Sequence, residues 1–207
     1  MVTSLMDRPI KKNYSKSGVF LSNTVLERGL VLAPVVVMGT GLKNAVAISI
    51  VFTIITFFGV LISRTIPDSV PYVLKAIINT MIAAGLFIPA SMLIRYIFPD
   101  IIVVLGIFLP ILVTNSLVVQ KSGSRFHKEN MTDMILDLGS HILGFNLVIC
   151  LVGLVREFLG TGMIWGRLVS GAFDIPALSL PFSGFIIIGF FAAAMQRIKI
   201  KRQRSND

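Results

Sequence analysis

Two short hydrophobic segments, each interrupted by a proline, decide the fold of this chain. Residues 25–39 read VLERGLVLAPVVVMG, and residues 104–116 read VLGIFLPILVTNS. Each proline removes a backbone amide donor and breaks the helical hydrogen-bond ladder. Inside a bilayer, bare backbone is tolerated only where protein or a lined cavity covers it. An ordinary kinked span would explain either segment alone, but two broken segments in matching places predict an internal repeat with its functional centre at the breaks.

The composition is that of an integral membrane protein. Of the 207 residues, 55% are apolar and only 14% are charged, whereas soluble domains have about 25% charged residues. With roughly 20 residues per span, about six spans fit the length. The net charge of +9 is concentrated in the first residues, in one loop and at the end, as positive-inside loops predict. We therefore expect contact with lipid and none with nucleic acid.

The hydrophobic pattern predicts an all-α fold of six transmembrane helices, arranged as two inverted three-helix repeats. The first helix of each repeat is broken, at Pro34 and at Pro110. Most of the 19 Lys and Arg residues fall on one side of this arrangement, which predicts that both termini are cytoplasmic. The predicted segments are a basic tail at 1–22, a broken segment at 23–39, spans at 44–63 and 71–96, a second broken segment at 101–120, spans at 131–156 and 181–196, and a basic tail at 197–207; the repeats cover 23–100 and 101–196.

Several motifs resemble the membrane subunits of Rnf complexes and of sodium-pumping NADH:quinone oxidoreductases. Residues 105–119 read LGIFLPILVTNSLVV and residues 154–162 read LVREFLGTG, both similar to family motifs. Residues 23–34 look like the first broken helix of the family. The ending from residue 181, with its basic tail, looks like the E-type protein of Rnf or the D-type protein of the quinone reductase.

The resemblance implies a partner, a cofactor and a location. It implies pairing with a homologous A-type subunit, within a larger complex in the inner membrane of a bacterial or archaeal cell. Cysteines from the broken helices of both subunits would hold one [2Fe–2S] cluster, which carries electrons across the bilayer. The chain itself would be a non-catalytic subunit of a redox-driven translocase, and no catalytic residue is assigned to it.

The sequence departs from the family pattern at the cluster ligands. The first ligand position is Ala33, directly before Pro34, and the second is Ser116, directly after Asn115. Alanine cannot bind iron, and a serine oxygen is a harder ligand than the thiolates that hold such clusters. We therefore assign no metal and no cofactor. The positions that match the family site are Ala33, Pro34, Pro110, Thr114, Asn115 and Ser116, and they could instead hold a quinone, a flavin or an ion, or only brace a partner.

Ionisable residues inside or beside the spans are further candidates for function. Asp133 and Asp137 lie four residues apart, so they share one helix face, which His141 continues. They are either an ion relay, because charges within spans are often functional, or acids that favour a helix N-terminus. Arg156 and Glu157 are neighbours of opposite charge, and neighbours on a helix do not face each other. We expect each of the two to bond elsewhere.

The leading functional hypothesis is a membrane subunit of an Rnf- or Nqr-like ion-translocating complex that forms the transmembrane electron path with its A-type partner. Two alternatives remain open at this point. One is a cluster-less structural or assembly subunit of a flavin-based electron-export complex. The other is a small secondary transporter with the same inverted repeat that binds an ion or a substrate at Thr114, Asn115 and Ser116.

Overall fold

The computed structural model describes residues 25–26, 32–67, 69–106, 108–114, 131–169 and 175–204. Within these ranges the chain is mostly helical. The helices are α1 (Leu32–Met38), α2 (Leu42–Ser63), α3 (Tyr72–Ile97), α4 (Pro99–Leu105), α5 (Met131–Thr161) and α6 (Pro181–Arg204); 3₁₀ helices are η1 (Leu109–Thr114) and η2 (Pro176–Ser179), and the strands are β1 (Met163–Ile164) and β2 (Arg167–Leu168).

Four helices of the described part are long and apolar enough to cross a membrane, namely α2, α3, α5 and α6. They coincide with the spans predicted at 44–63, 71–96, 131–156 and 181–196. Helix α5 continues five residues beyond its predicted end, and α6 includes the basic stretch 197–204 that the sequence predicts as a tail. The predicted tail at 1–22 lies outside the described residues.

Helices α2 and α5 form the centre of the bundle and run antiparallel. Four contacts show this, because the residue numbers increase along α2 while those of their partners in α5 decrease. The pairs are Leu42 with Glu157, Ser49 with Cys150, Thr53 with Asn146, and Arg64, directly after α2, with Met134. Between these contacts the rings of Phe52 and Phe145 stack with centroids 3.8 Å apart. A helix that is apolar all round can be buried on several sides, which explains the central place of α2.

Two linked hydrogen bonds lie at the α2–α5 interface, near its middle. The side-chain amide of Asn146 donates to the Thr53 hydroxyl at 3.0 Å, and that hydroxyl donates to the backbone carbonyl of Ser49 at 2.6 Å. Because hydrocarbon offers no other partner, such side chains bond between helices or to the backbone of their own helix. The contact fixes the register of α2 on α5.

Helices α3 and α6 lie at the periphery. Helix α3 buries one narrow stripe and exposes the rest of its surface, and α6 is exposed over most of its length. The buried stripe of α3 is polar near its start and apolar further on: Lys75, Asn79, Ala83, Ala90 and Ile94. Exposed apolar side chains on these two helices include Val73, Ile77, Met81, Met92, Phe185 and Phe190. This surface suits lipid or a neighbouring subunit.

The two ends of the bundle differ in character. We call the hairpin end the one where α2 and α6 begin and α3 and α5 finish, because the β1–β2 hairpin lies there. The hairpin was not predicted. Its turn has positive φ at Trp165 and Gly166 (58° and 71°), as type I′ hairpins require. We call the opposite end the basic end; it holds Arg64 and the last, basic turns of α6.

The central helices approach each other closely at Gly153. A Cβ atom there would lie 2.8 Å from the Gly41 carbonyl oxygen and 3.0 Å from the Ala45 Cβ. We expect Gly153→Ala to cost about 1–3 kcal/mol of stability, because the helices must separate. Gly139→Ala, in the same helix, is the matched control: a Cβ there meets nothing within 4 Å, and alanine favours helix. Thermal unfolding in detergent measures both, and equal melting temperatures would contradict the close approach.

Candidate functional site

Helix α1 places the first family position on the outside of the chain. Ala33 is exposed, whereas the next three residues, Pro34, Val35 and Val36, are buried. Pro34 lies in the first turn of α1, where a missing amide costs little. The helix packs chiefly against α6, with further contacts to α2 and α5. The methyl group of Ala33 therefore faces away from the chain's own core.

The second broken segment also presents its described family positions outward. Helix α4 ends at Leu105, and the chain resumes as η1 from Leu109. Pro110 and Thr114 are exposed, and the Thr114 hydroxyl donates to the Ile111 carbonyl at 3.0 Å. Asn115 and Ser116 lie outside the described residues. The segment η1 packs on α3 and α2, so α2 contacts both broken segments.

The donors in the described part do not fit an iron–sulfur cluster. Such clusters are held by thiolates, and Ala33 has no donor atom. The described ranges contain no group of three or more His, Cys, Asp or Glu side chains placed to hold a metal ion. Cys150 lies between the central helices with its sulfur 3.8 Å from the Ser49 hydroxyl.

Arg156 is fully buried and uses every N–H group of its guanidinium. Five hydrogen bonds of 2.8–3.1 Å lead from it, and all of the acceptors are backbone carbonyls. Two acceptors lie at the end of α1 and three in the turn before α6: Val36 and Gly39, then Leu178, Ser179 and Leu180. An arginine has five donors in a fixed planar fork. The side chain therefore ties α1 to the start of α6.

The Glu157 carboxylate, in contrast to Arg156, accepts hydrogen bonds from backbone amides. One carboxylate oxygen accepts from the backbone amide of Leu42 at 2.7 Å, and the other accepts from the amide of Gly166 at 2.9 Å. Helix α2 begins after Gly41, which has no side chain to cap it. The carboxylate of a distant helix thus caps the N-terminus of α2, where the helix dipole favours negative charge, and it also fastens the hairpin turn.

The two aspartates differ in their surroundings. Asp133 lies in the first turn of α5 and is half-buried. One turn further, a carboxylate oxygen of Asp137 lies 3.5 Å from Nε2 of His141, and the side chains are 11% and 5% exposed. The structure thus brings Asp137 and His141 together, as their spacing predicts, and leaves Asp133 nearer the basic end.

Comparison with known proteins decides the family. A family model described as Rnf-Nqr subunit, membrane protein, matches residues 12–198. The chain belongs to the Rnf-Nqr family. It is 27% identical over 188 residues to the D-type protein of the Na⁺-translocating NADH-quinone reductase of Pseudoalteromonas translucida, covering 87% of this chain and 90% of the relative. It is 28% identical over 217 residues to the E-type protein of the ion-translocating oxidoreductase complex of Cellvibrio japonicus, covering 95% and 89%.

A third similar protein is the D-type protein of the Na⁺-translocating NADH-quinone reductase of Yersinia pestis. It is 25% identical over 190 residues, covering 88% of this chain and 91% of the relative. The predicted resemblance to the D-type and E-type proteins of these complexes is thereby confirmed.

The structure gives the Rnf-Nqr motif at residues 154–162 a physical meaning that the sequence only partly predicted. Adjacent charges were expected to bond elsewhere, and Arg156 and Glu157 do so. Their partners are backbone groups, which leave no mark in a sequence. The close approach at Gly153 was also missed. A glycine inside an apolar span, where small residues let helices approach closely, was the available signal for it.

Proposed function

We propose that this Rnf-Nqr subunit is one half of a membrane pair, with a homologous A-type subunit as the other half, in a redox-driven ion-translocating complex. Family membership supports this proposal. So do the names of its relatives, which are subunits of a Na⁺-translocating NADH-quinone reductase and of an ion-translocating oxidoreductase complex. The chain acts within the complex without catalysing a reaction alone.

The observation that carries the pairing is the outward position of Ala33. Helix α1 buries Pro34, Val35 and Val36 but exposes the residue that matches the family ligand. Pro110 and Thr114 are exposed as well. A site whose described positions, Pro34 apart, face away from their own chain needs a second surface to close it. A homologous subunit with the same broken helices would supply that surface.

We further propose that the fold is a six-helix inverted repeat. The order of elements supports it: a short helix followed by two long ones, α1 to α3, precedes an interrupted segment followed by two long helices, α4 to α6. An odd number of spans in each repeat inverts the second copy relative to the first. The interrupted segments would then enter the membrane from opposite faces.

This subunit supplies no thiolate at Ala33, and we propose that the pair holds no [2Fe–2S] cluster of the family type. The chain would then brace its partners while electrons follow another route. Measuring iron, acid-labile sulfide and low-temperature EPR on the reduced native complex tests this. We expect no [2Fe–2S] signal beyond those of soluble-domain clusters.

Restoring both thiols gives a matched comparison for that measurement. The variant Ala33→Cys with Ser116→Cys returns sulfur to the two family positions, so any signal it gains shows what a family-type cluster looks like in this complex. A signal of that kind in the native complex would contradict the cluster-less proposal.

Asp137 is our candidate for ion transfer. Its carboxylate is almost buried beside His141, and because charged groups within spans are costly, those that occur often mark ion pathways. We expect Asp137→Asn to lower redox-driven ion uptake by membrane vesicles roughly tenfold, the factor given by about 1.4 kcal/mol. Asp133→Asn, one turn nearer the basic end, is the matched control and should change uptake less than about twofold. Unchanged uptake in Asp137→Asn would exclude the relay.

The basic end is proposed to face the cytoplasm, with both termini on that side. Arg64, Arg197 and Lys201 lie there, and cytoplasmic loops are rich in Lys and Arg. In a Cys150→Ser background, a membrane-impermeant maleimide should label Leu168→Cys on the hairpin in intact cells. It should label Lys201→Cys only after permeabilisation. The opposite pattern would invert the proposed topology.

A further inference from the structure

We infer that Arg156 is the positioning residue of α1: its guanidinium fixes the place of this short helix, and with it the outward surface at Ala33. The inference concerns the geometry of this chain and does not require the proposed electron path. Only its consequence, that Arg156 shapes the surface offered to a partner subunit, rests on the proposed function.

Helix α1 is too short to hold its position unaided. It spans seven residues, and isolated helices below about 12 residues are marginal because nucleation is costly. Its last carbonyl groups have no partner within the helix. Two carbonyls at this end, those of Val36 and Gly39, accept from Nη1 of Arg156 at 2.8 and 3.0 Å. The guanidinium thus supplies donors that the helix itself lacks.

The same guanidinium reaches the element against which α1 packs. Its Nε and Nη2 groups donate to the carbonyls of residues 178–180, at the start of α6. Close beside this point, a Cβ on Gly184 would lie 3.1 Å from the Cα of Val36. The backbones of α1 and α6 are therefore almost in contact where Arg156 joins them. One side chain thus joins the two helices where their backbones are almost in contact.

The acceptors make this a site for a planar cation and not a generic charge. Five carbonyl oxygens surround a group that offers five N–H donors in one plane. A lysine ammonium has three donors and cannot form the fork. Removing the side chain takes its donors from the carbonyls of Val36, Gly39 and Ser179, whereas those of Leu178 and Leu180 also have Ser183 as a donor. Each unsatisfied buried group is costly. The expected result is local release of α1, because the contacts between α2 and α5 do not involve the guanidinium.

The reactivity of a cysteine placed in α1 or in α2 shows separately whether each helix remains buried. Cys150 is the only cysteine, so a Cys150→Ala background makes single-cysteine variants possible. Val35→Cys reports on α1 and Val51→Cys on α2, since both positions are 0% exposed. The purified complex is treated with N-ethylmaleimide, and labelling of this chain is followed by mass spectrometry. In native membranes the same pair of variants checks that detergent is not the cause.

With Arg156→Ala, we expect the Val35→Cys thiol to react about tenfold faster or more, as the loss of buried hydrogen bonds predicts. The Val51→Cys thiol should change less than about twofold, because α2 keeps its place in the centre. Arg156→Lys should lie between, and it keeps the test valid if Arg156→Ala fails to assemble. Glu157→Gln is a neighbouring control that should leave Val35→Cys protected.

Chemical rescue separates positioning from simple packing. Millimolar guanidinium chloride should restore protection of Val35→Cys in the Arg156→Ala variant, because the ion fits the vacated set of carbonyls. Urea has a similar planar shape but no charge, and it should not restore protection. Equal reactivity of Val35→Cys with and without Arg156 would overturn the inference. Exposure of both thiols together would overturn it too, because Arg156 would then support the whole fold and not α1.

Failure of this test is distinguishable from failure of the proposed function. The thiol measurement needs no cofactor, no substrate and no ion gradient. A native complex that shows an extra [2Fe–2S] signal would contradict the cluster-less proposal and leave the thiol result unchanged. Protection of α1 without Arg156 would contradict the positioning role and leave the EPR result unchanged.

Discussion

The structure depends on how the backbone groups at the break between α1 and α2 find hydrogen-bond partners. Where a helix stops at Met38 and another starts at Leu42, carbonyls at one end and amides at the other lose their intrahelical partners. In an apolar bundle these groups cannot all turn to water. Two consecutive residues of α5 provide the partners: the cation of Arg156 binds the carbonyls, and the anion of Glu157 binds the amide of Leu42. Each charge meets the helix end of opposite polarity.

This arrangement does not depend on the side chain at position 33. The contacts of Arg156 and Glu157 with these backbone groups, which we call the clamp, require no particular side chain at position 33. Ala33 itself is exposed and contributes no core contact. A change of side chain at this exposed position therefore leaves the packing of α1 intact.

How far the sequence predicts this protein varies with the kind of feature. The four long helices were predicted within a few residues, except that α5 and α6 run further, because continuous apolar segments of this length have one favourable state in a bilayer. The hairpin was missed, since Trp165 at positive φ is a conformation that bulky residues rarely adopt. The clamp was half predicted: the charges of Arg156 and Glu157 signal unusual bonding, but backbone acceptors from residues 36 and 178–180 converge only in three dimensions. The exposure of Ala33 could not be predicted from the sequence either, because a seven-residue helix is too short to show a periodic pattern of exposed residues.

The central pair of helices and the two broken segments are held in place by different interactions. Helices α2 and α5 share stacked rings, an inter-helix hydrogen bond and a glycine contact, and these fix one register. The broken segments lie outside this pair and are attached differently: α1 packs mainly on α6 and also binds the Arg156 guanidinium, whereas η1 packs on α3 and α2. Packing tolerates gradual change of side chains, whereas a five-bond guanidinium site admits few substitutes. Position 156 therefore admits few side chains, whereas the residues that hold η1 can change more freely.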